Sequence, residues 1–311
     1  MPSLPDQTTT FTRHGTSIAN TYAEAFPILG TRLIVTAETI EWARVAGTTM
    51  TGYATSVIAC DAEAAIEREI PASETPDGRP GLSVLVFGFK KESLEKAVIN
   101  RVGQCVLTCP TTACYDGLPG TPVDKRIALG KQLRYFGDGF QISKKLGGKR
   151  FWRIPVMDGE FVCADRVGFV KGVAGGNFLL CGESPRKVLQ AAEAAVKGIR
   201  EVRDVAMPFP GGIVRSGSKV GSRYPALKAS TNDAYCPTLR TQTKTELPEE
   251  IAAVYEIVID GLSFEGVRDA MRVGIETAAR FGGVSLITAG NYGGKLGPHL
   301  FHLQELFGGG K

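Results

Sequence analysis

The chain has 311 residues, 43% hydrophobic and 22% charged, with a formal charge of +4. That length exceeds the size at which single cores stop growing, so two domains are expected, and the small charge argues against nucleic acid or an acidic membrane surface as partner. No apolar run reaches the roughly 18 residues that span a bilayer, the polar stretch 1–20 lacks a signal-peptide core, and seven cysteines without zinc-ribbon spacing read as free thiols in the reducing cytoplasm.

In chain order the pattern gives one strand-helix-strand unit four times. Leu33-Ile34-Val35 reads as a strand, 38–46 as a helix, and the β-branched run 53–60 as a second strand. Residues 82–87 follow as a strand, then a helix over 93–101 that Gly103 ends, then a strand over 105–108. In the third unit Phe178-Leu179-Leu180 precedes an Ala-rich helix over 184–196, whose Pro185 suits a first helical turn, and a strand over 202–207. The fourth runs from the strand 254–259 through a helix over 264–280, stopped by Gly282-Gly283, to a strand over 284–289. Two such units in series make βαββαβ, so the expected class is α+β, with two ferredoxin-like lobes carrying long insertions at 110–150 and 208–250. The turn-like Met157-Asp158-Gly159 places the division there. The expected parts are a flexible tail over 1–20, one lobe over 21–157 and another over 158–311.

One residue stands out chemically. Val254, Glu256 and Val258 share a strand face, which sets a carboxylate among apolar neighbours. Such a group must be paired, hydrogen-bonded or held protonated. Held protonated, it can donate a proton or a hydrogen bond at a carbonyl carbon near neutral pH. A solvated face or a structural ion pair accounts for the strand alone more simply.

Several familiar sites are absent. The stretch Gly290-Asn291-Tyr292-Gly293-Gly294-Lys295 lacks the first glycine and the Ser/Thr of a phosphate loop, having Ala289 and Leu296 instead. Gly172-Val173-Ala174-Gly175-Gly176-Asn177 leads into a strand rather than a helix, so it is no dinucleotide fingerprint. It suits close backbone approach to a ligand or another strand, or a tight turn. Cys105, Cys109 and Cys114 lack paired zinc spacing, and His299 and His302 read as a helix-borne pair without an acidic partner, so no metal is expected. Neither Cys236 nor any serine sits in a nucleophile elbow. No strand carries the basic-aromatic pattern of an RNA-binding sheet.

The segment 208–250 carries a charge signal. Arg215, Lys219, Arg223 and Lys228 occur without an acid between Val205 and Asn232, amid Gly211, Gly212, Gly217 and Gly221. Cations with exposed backbone N–H groups suit phosphate or carboxylate, though a solvated loop gives the same composition. The polar run 229–238 that follows suits a ligand-lining loop.

These residues carry a family likeness over about 21–307. The blocks are Thr21-Tyr22-Ala23-Glu24-Ala25-Phe26, Ala54-Thr55-Ser56-Val57-Ile58, Glu74-Thr75-Pro76-Asp77-Gly78-Arg79-Pro80-Gly81 and Phe136-Gly137-Asp138-Gly139. They continue with 172–178, Pro208-Phe209-Pro210-Gly211-Gly212-Ile213-Val214, 229–238, 254–259 and 289–297. The chain resembles the formylmethanofuran:tetrahydromethanopterin formyltransferases. The resemblance implies two ferredoxin-like lobes, a homo-oligomer and no prosthetic group. It also implies formyl transfer between the amine of methanofuran and N5 of tetrahydromethanopterin, with Glu256 as the catalytic acid. Both carriers bear carboxylates, and the pterin a phosphate, which would give the cationic loop its purpose. On that reading Asn177, Ser230, Thr231, Asn232, Asp233, Tyr235 and Asn291 contact substrate, and Lys219, Arg223 and Lys295 meet its anionic groups. The mild basicity resembles the version in methylotrophic bacteria. There it is the fourth component of a formyltransferase/hydrolase complex, working in the formaldehyde-oxidising direction with the hydrolase subunits A, B and C. The alternative is a non-catalytic scaffold within such a complex.

Overall fold

The computed structural model describes residues 9–308. The expected flexible tail lies outside the described residues over 1–8. Its remainder folds instead as a hairpin of β1 (Thr10–Arg13) and β2 (Thr16–Ala19), turning through His14 and Gly15 at φ 49° and 82°. Buried Thr16 and Ile18 give that hairpin an inward face, the physical reason it is no tail.

Internal contacts divide the chain into two units, Ile28–Gly172 and a second comprising Val173 onward with the residues up to Pro27. Two long strands, β3 (Tyr22–Thr36) and β11 (Arg166–Gly182), contribute residues to both.

In the first unit β3 leads to α1 (Ile40–Thr51), β4 (Glu63–Ile70), β5 (Gly81–Gly88), α2 (Lys91–Arg101) and β6 (Ala113–Asp116). The antiparallel order is β4-β5-β3-β6. Every residue of β5 is buried, as in a central strand covered on both faces. Ala43, Ala46, Gly47 and Met50 of α1 and Leu94, Ala97 and Val98 of α2 lie at three- and four-residue spacing, and all are buried. Then come β7 (Arg126–Ala128), α3 (Gly130–Leu133), β8 (Ile142–Leu146), β9 (Lys149–Val156) and β10 (Gly159–Ala164). Strand β10 pairs in parallel with β6 and antiparallel with β9, so Met157-Asp158 is the tip of a hairpin.

Two expected strands of this unit are corrected. Residues 53–60 are turns, with Tyr53 at φ 65°, and the strand lies later, at β4. Its sequence EAAIEREI disguises it, because Glu67 is neutralised by partners far along the chain, Arg32 at 2.8 Å and Ser83 at 2.5 Å. Residues 102–106 form a π-helical turn continuing α2, burying Val102 and Val106; Gly103 does not end the helix, and the strand is β6.

In the second unit β11 is followed by α4 (Pro185–Ile199), β12 (Val205–Ala206), the short pair β13 (Lys219–Val220) and β14 (Ala229–Ser230), β15 (Ala253–Gly261), α5 (Phe264–Phe281), β16 (Leu286–Thr288) and β17 (His299–His302). The main sheet runs β12-β15-β11-β16-β2-β1, antiparallel except between β16 and β2. Ser184 and Ser263 cap α4 and α5, accepting from Lys187 N and Gly266 N. Both helices bury an apolar stripe with Phe178, Leu180, Ile257 and Ile259 of the sheet. His299 and His302 lie on β17, not on a helix, with rings 5.8 Å from Phe264 and 5.3 Å from Tyr22.

The glycine segment 172–177 lies within β11, where the register against β15 shifts between Val173 and Gly176. A Cβ on Gly176 would stand 2.3 Å from Val267 Cγ1 of α5, so the close approach is helix against strand.

Candidate active site

The face of the second unit's sheet opposite the helices is covered by the segment between β12 and β15. Leu247 and Ile251 bury themselves there against Leu179 and Cys181, joined by Tyr235 and Val254. Glu256 belongs to this face, because the two-residue period puts it with Val254, while Ile257 and Ile259 point into the helix-side core. Its backbone exchanges hydrogen bonds with Val214 at 3.0 and 2.7 Å, pinning the incoming loop beside it.

A cavity of about 40 Å³ results, lined by Leu179, Val214, Arg215, Ser216, Gly217, Asn232, Tyr235, Cys236, Val254 and Glu256. Apolar Leu179, Val214 and Val254 share its walls with polar Ser216, Asn232 and Tyr235, and it has room for a few water molecules. Among the described residues no cation pairs with Glu256, and burial pushes its carboxyl up to about 7. The group can therefore hold or release a proton at neutral pH, the condition for acid catalysis. Burial likewise pushes Tyr235 and Tyr292 up to about 12, so both phenols remain hydrogen-bond donors; the charge of Glu256 adds to the shift at Tyr292.

The structure distributes the sequence-predicted site residues over three groups. Asn232, Tyr235 and Glu256 meet at the cavity. Ser230, Thr231, Asp233 and Lys219 form the adjoining loop. There Lys219 Nζ lies 2.5 Å from Asp233 Oδ1 and holds that carboxyl below its ordinary range. Ser230 and Thr231 spend their hydroxyls on Gly221 O at 2.8 Å and Ser216 O at 3.2 Å. Arg223 is exposed and acts on Asp233 only through its charge. Around the loop 290–297, Asn177 receives Gly290 N at 2.6 Å and donates to Gly290 O and Gly175 O, leaving its amide fully engaged. Asn291 Nδ2 donates to Thr21 Oγ1 at 3.0 Å, and Lys295 is exposed.

Sequence reasoning left Tyr292 and Cys236 out of the site, and it singled out Arg215 and Gly217 only in the cationic run, without joining them to Glu256. Tyr292 had a signal, standing between Asn291 and Lys295 in a glycine-rich stretch. The Cys236 thiol, 3.3 Å from Asn232 O, reaches the cavity only through a turn no periodicity reveals. Among the described residues no group of three metal-ligating side chains occurs, and no helix is long and apolar enough to cross a membrane.

Family models match at residues 11–156, described as formylmethanofuran-tetrahydromethanopterin formyltransferase, and at 159–306, described as the proximal lobe of the same enzyme. A formylmethanofuran–tetrahydromethanopterin formyltransferase from Methylococcus capsulatus is 58% identical over 296 residues, covering 94% of this chain and 98% of the relative. One component of the formyltransferase/hydrolase complex from Methylorubrum extorquens is 50% identical over 95% of this chain and 97% of its own length. The crystal structure of that complex with methylofuran contains a polypeptide matching at TM-score 0.93 and 49% identity, over 96% of this chain and 99% of that one. The Methanosarcina barkeri formyltransferase matches at TM-score 0.91 and 48% identity, over 96% and 100%. With family models matched over 11–156 and 159–306 and relatives 50% and 58% identical over nearly their whole length, the chain belongs to the formylmethanofuran–tetrahydromethanopterin formyltransferase family.

Proposed function

We infer that this chain is an enzyme that transfers a formyl group between N5 of tetrahydromethanopterin and the amine of methanofuran. Family membership over nearly the whole chain supports the reaction class. The observation that carries the mechanism is Glu256, unpaired among the described residues and raised by burial to about 7 in a cavity of mixed polar and apolar lining. In the formaldehyde-oxidising direction, which we propose as physiological, the methanofuran amine attacks the formyl carbon on N5. The new C–N bond places charge on the formyl oxygen; collapse breaks the bond to N5, which gains a proton as the amine loses one. Protonated Glu256 donates to that oxygen or to the departing nitrogen. Asn177, Ser230, Thr231, Asn232, Asp233, Tyr235 and Asn291 are proposed to position the carriers, with Lys219, Arg223 and Lys295 toward their anionic groups. Asn177 would act by fixing the backbone at Gly290.

Each unit is proposed to be a ferredoxin-like lobe. In β3-α1-β4-β5-α2-β6 and in β11-α4-β12-β15-α5-β16 the first strand lies between the third and fourth, as that fold requires. The matched family segments, 11–156 and 159–306, support lobes over 21–157 and 158–311, whereas internal contacts group 158–172 with the first unit and the residues up to Pro27 with the second. We further propose a cytoplasmic homo-oligomer that joins hydrolase subunits A, B and C. Seven free cysteines support the compartment, and the likeness to a component of the Methylorubrum complex supports the partners. Formyl exchange between 5-formyltetrahydromethanopterin and methanofuran, followed by pterin absorbance, tests the reading. Turnover by the purified chain establishes the transferase. Recovery only with the partner subunits means the site is completed in the complex, and no turnover in either case favours the scaffold alternative.

A further inference from the structure

The stretch 290–297 resembles a phosphate loop in its glycines, and the structure gives it an anion of its own. Glu24, on β3, is completely buried, and its carboxylate is enclosed by this loop. Oε2 accepts from Tyr292 N at 2.6 Å and from Gly294 N at 3.1 Å. Oε1 accepts from Leu296 N and from Gly297 N at 3.2 Å. Glycines 293 and 294, at φ 68° and 77°, turn successive N–H groups inward as an anion-binding nest requires. A carboxylate sealed from water is tolerable only with such donors, so loop and acid stabilise one another. The backbone is seated on β3 as well, since a Cβ on Gly297 would stand 2.2 Å from Ala25 O.

That fixed loop carries Asn291, Tyr292 and Lys295. Tyr292 connects it to the active cavity. Its hydroxyl donates to Ser218 O at 2.5 Å, one residue beyond the cavity wall at Gly217, and its phenol senses the charge of Glu256. We propose that Glu24 is a positioning residue, a built-in anion that orders the loop 290–297 so that Tyr292 and its neighbours receive the one-carbon carriers. The inference rests on the transferase reading above. Glu24 touches no reacting atom; losing it loosens the loop, so carrier binding suffers while the Glu256 proton chemistry persists.

The test pairs hydrogen exchange with steady-state kinetics on the unaltered chain, Glu24→Gln and Glu24→Asp, assayed with the partner subunits if the chain needs them. Glutamine puts an NH2 group among four N–H donors, whereas aspartate keeps the charge. In Glu24→Gln, the amides of Tyr292, Gly294, Leu296 and Gly297 should exchange at least tenfold faster while those of α1 and α2 are unchanged. KM for one or both carriers should rise about tenfold with kcat within threefold, and Glu24→Asp should recover part of both effects. Unchanged exchange, or fast exchange with unchanged KM, overturns the proposal. If Glu24→Gln fails to fold, Glu24→Asp decides, because it keeps the charge while its shorter side chain loosens the hold on the four loop amides. A selective rise in KM supports the proposal, and unchanged KM overturns it. Inactivity of the unaltered chain, with and without partners, would refute the transferase reading, while the exchange data would still judge whether Glu24 orders the loop 290–297.

Discussion

At the scale of single residues, the environment of Glu256 fixes two expected outcomes. Its carboxyl moves from the ordinary 4.5 to about 7 because burial disfavours the charged form. If the protonated acid is the working species, kcat/KM should decline through a limb near pH 7, and Glu256→Gln should lack that limb while losing roughly two to four powers of ten in rate. Near-normal turnover of Glu256→Gln would remove proton transfer from the mechanism, and Glu256→Ala then tests the hydrogen bond. The same shift acts on stability. The folded state binds this proton more tightly than the unfolded state, so its contribution is complete below about 4.5 and is lost as pH rises through about 7. Urea unfolding should therefore find Glu256→Gln more stable than the native chain at pH 8, by at most about 3 kcal/mol, with the difference vanishing toward pH 4.5. Lys219 and Asp233 behave as one unit because their charged groups are 2.5 Å apart. Neutralising Lys219, Arg223 or Asp233 should raise KM more than it lowers kcat; unchanged KM for both carriers would return the loop to a solvated role. The sequence disclosed the lone acid and the cationic run, but not that Asp233 already engages one of those cations.

At the scale of elements, periodicity and capping disclosed α1, α2, α4, α5, β5 and β15, whose stabilising contacts repeat at fixed local spacing. It failed where distant partners decide. Strand β4 carries charges whose partners lie on other segments, Arg32 and Ser83 for Glu67, Arg44 for Glu69 and Glu74 for Arg68, and β1 and β2 acquire an inward face only when β16 pairs with β2. The α4–α5 contact illustrates what such packing demands. A Cβ on Gly274 would stand 2.7 Å from both Ile199 Cδ1 and Phe178 Cζ, so the helix gives up intrinsic propensity for close approach. Gly274→Leu should destabilise the protein by about 2–3 kcal/mol through overpacking, read as a lower urea midpoint. An unchanged midpoint would mean that this interface is loose.

At the scale of the whole molecule, the repeat of four strand-helix-strand units is written in the chain because helix and strand periods are local properties. The lone carboxylate of β15, the serine caps and the glycine stop after α5 are local too. So is the charge asymmetry of the segment 208–250, though composition does not say what that segment covers. The tertiary structure decided that it lies on the sheet face opposite the helices, which turns Glu256 from a strand residue into a cavity wall. It also decided that Glu24 fills a glycine loop 268 residues further along the chain. The sequence by itself determined which residues could do chemistry and on which elements they ride. Only folding determined which of them meet and which are engaged elsewhere, because burial and hydrogen bonding between distant segments depend on where the chain returns to itself.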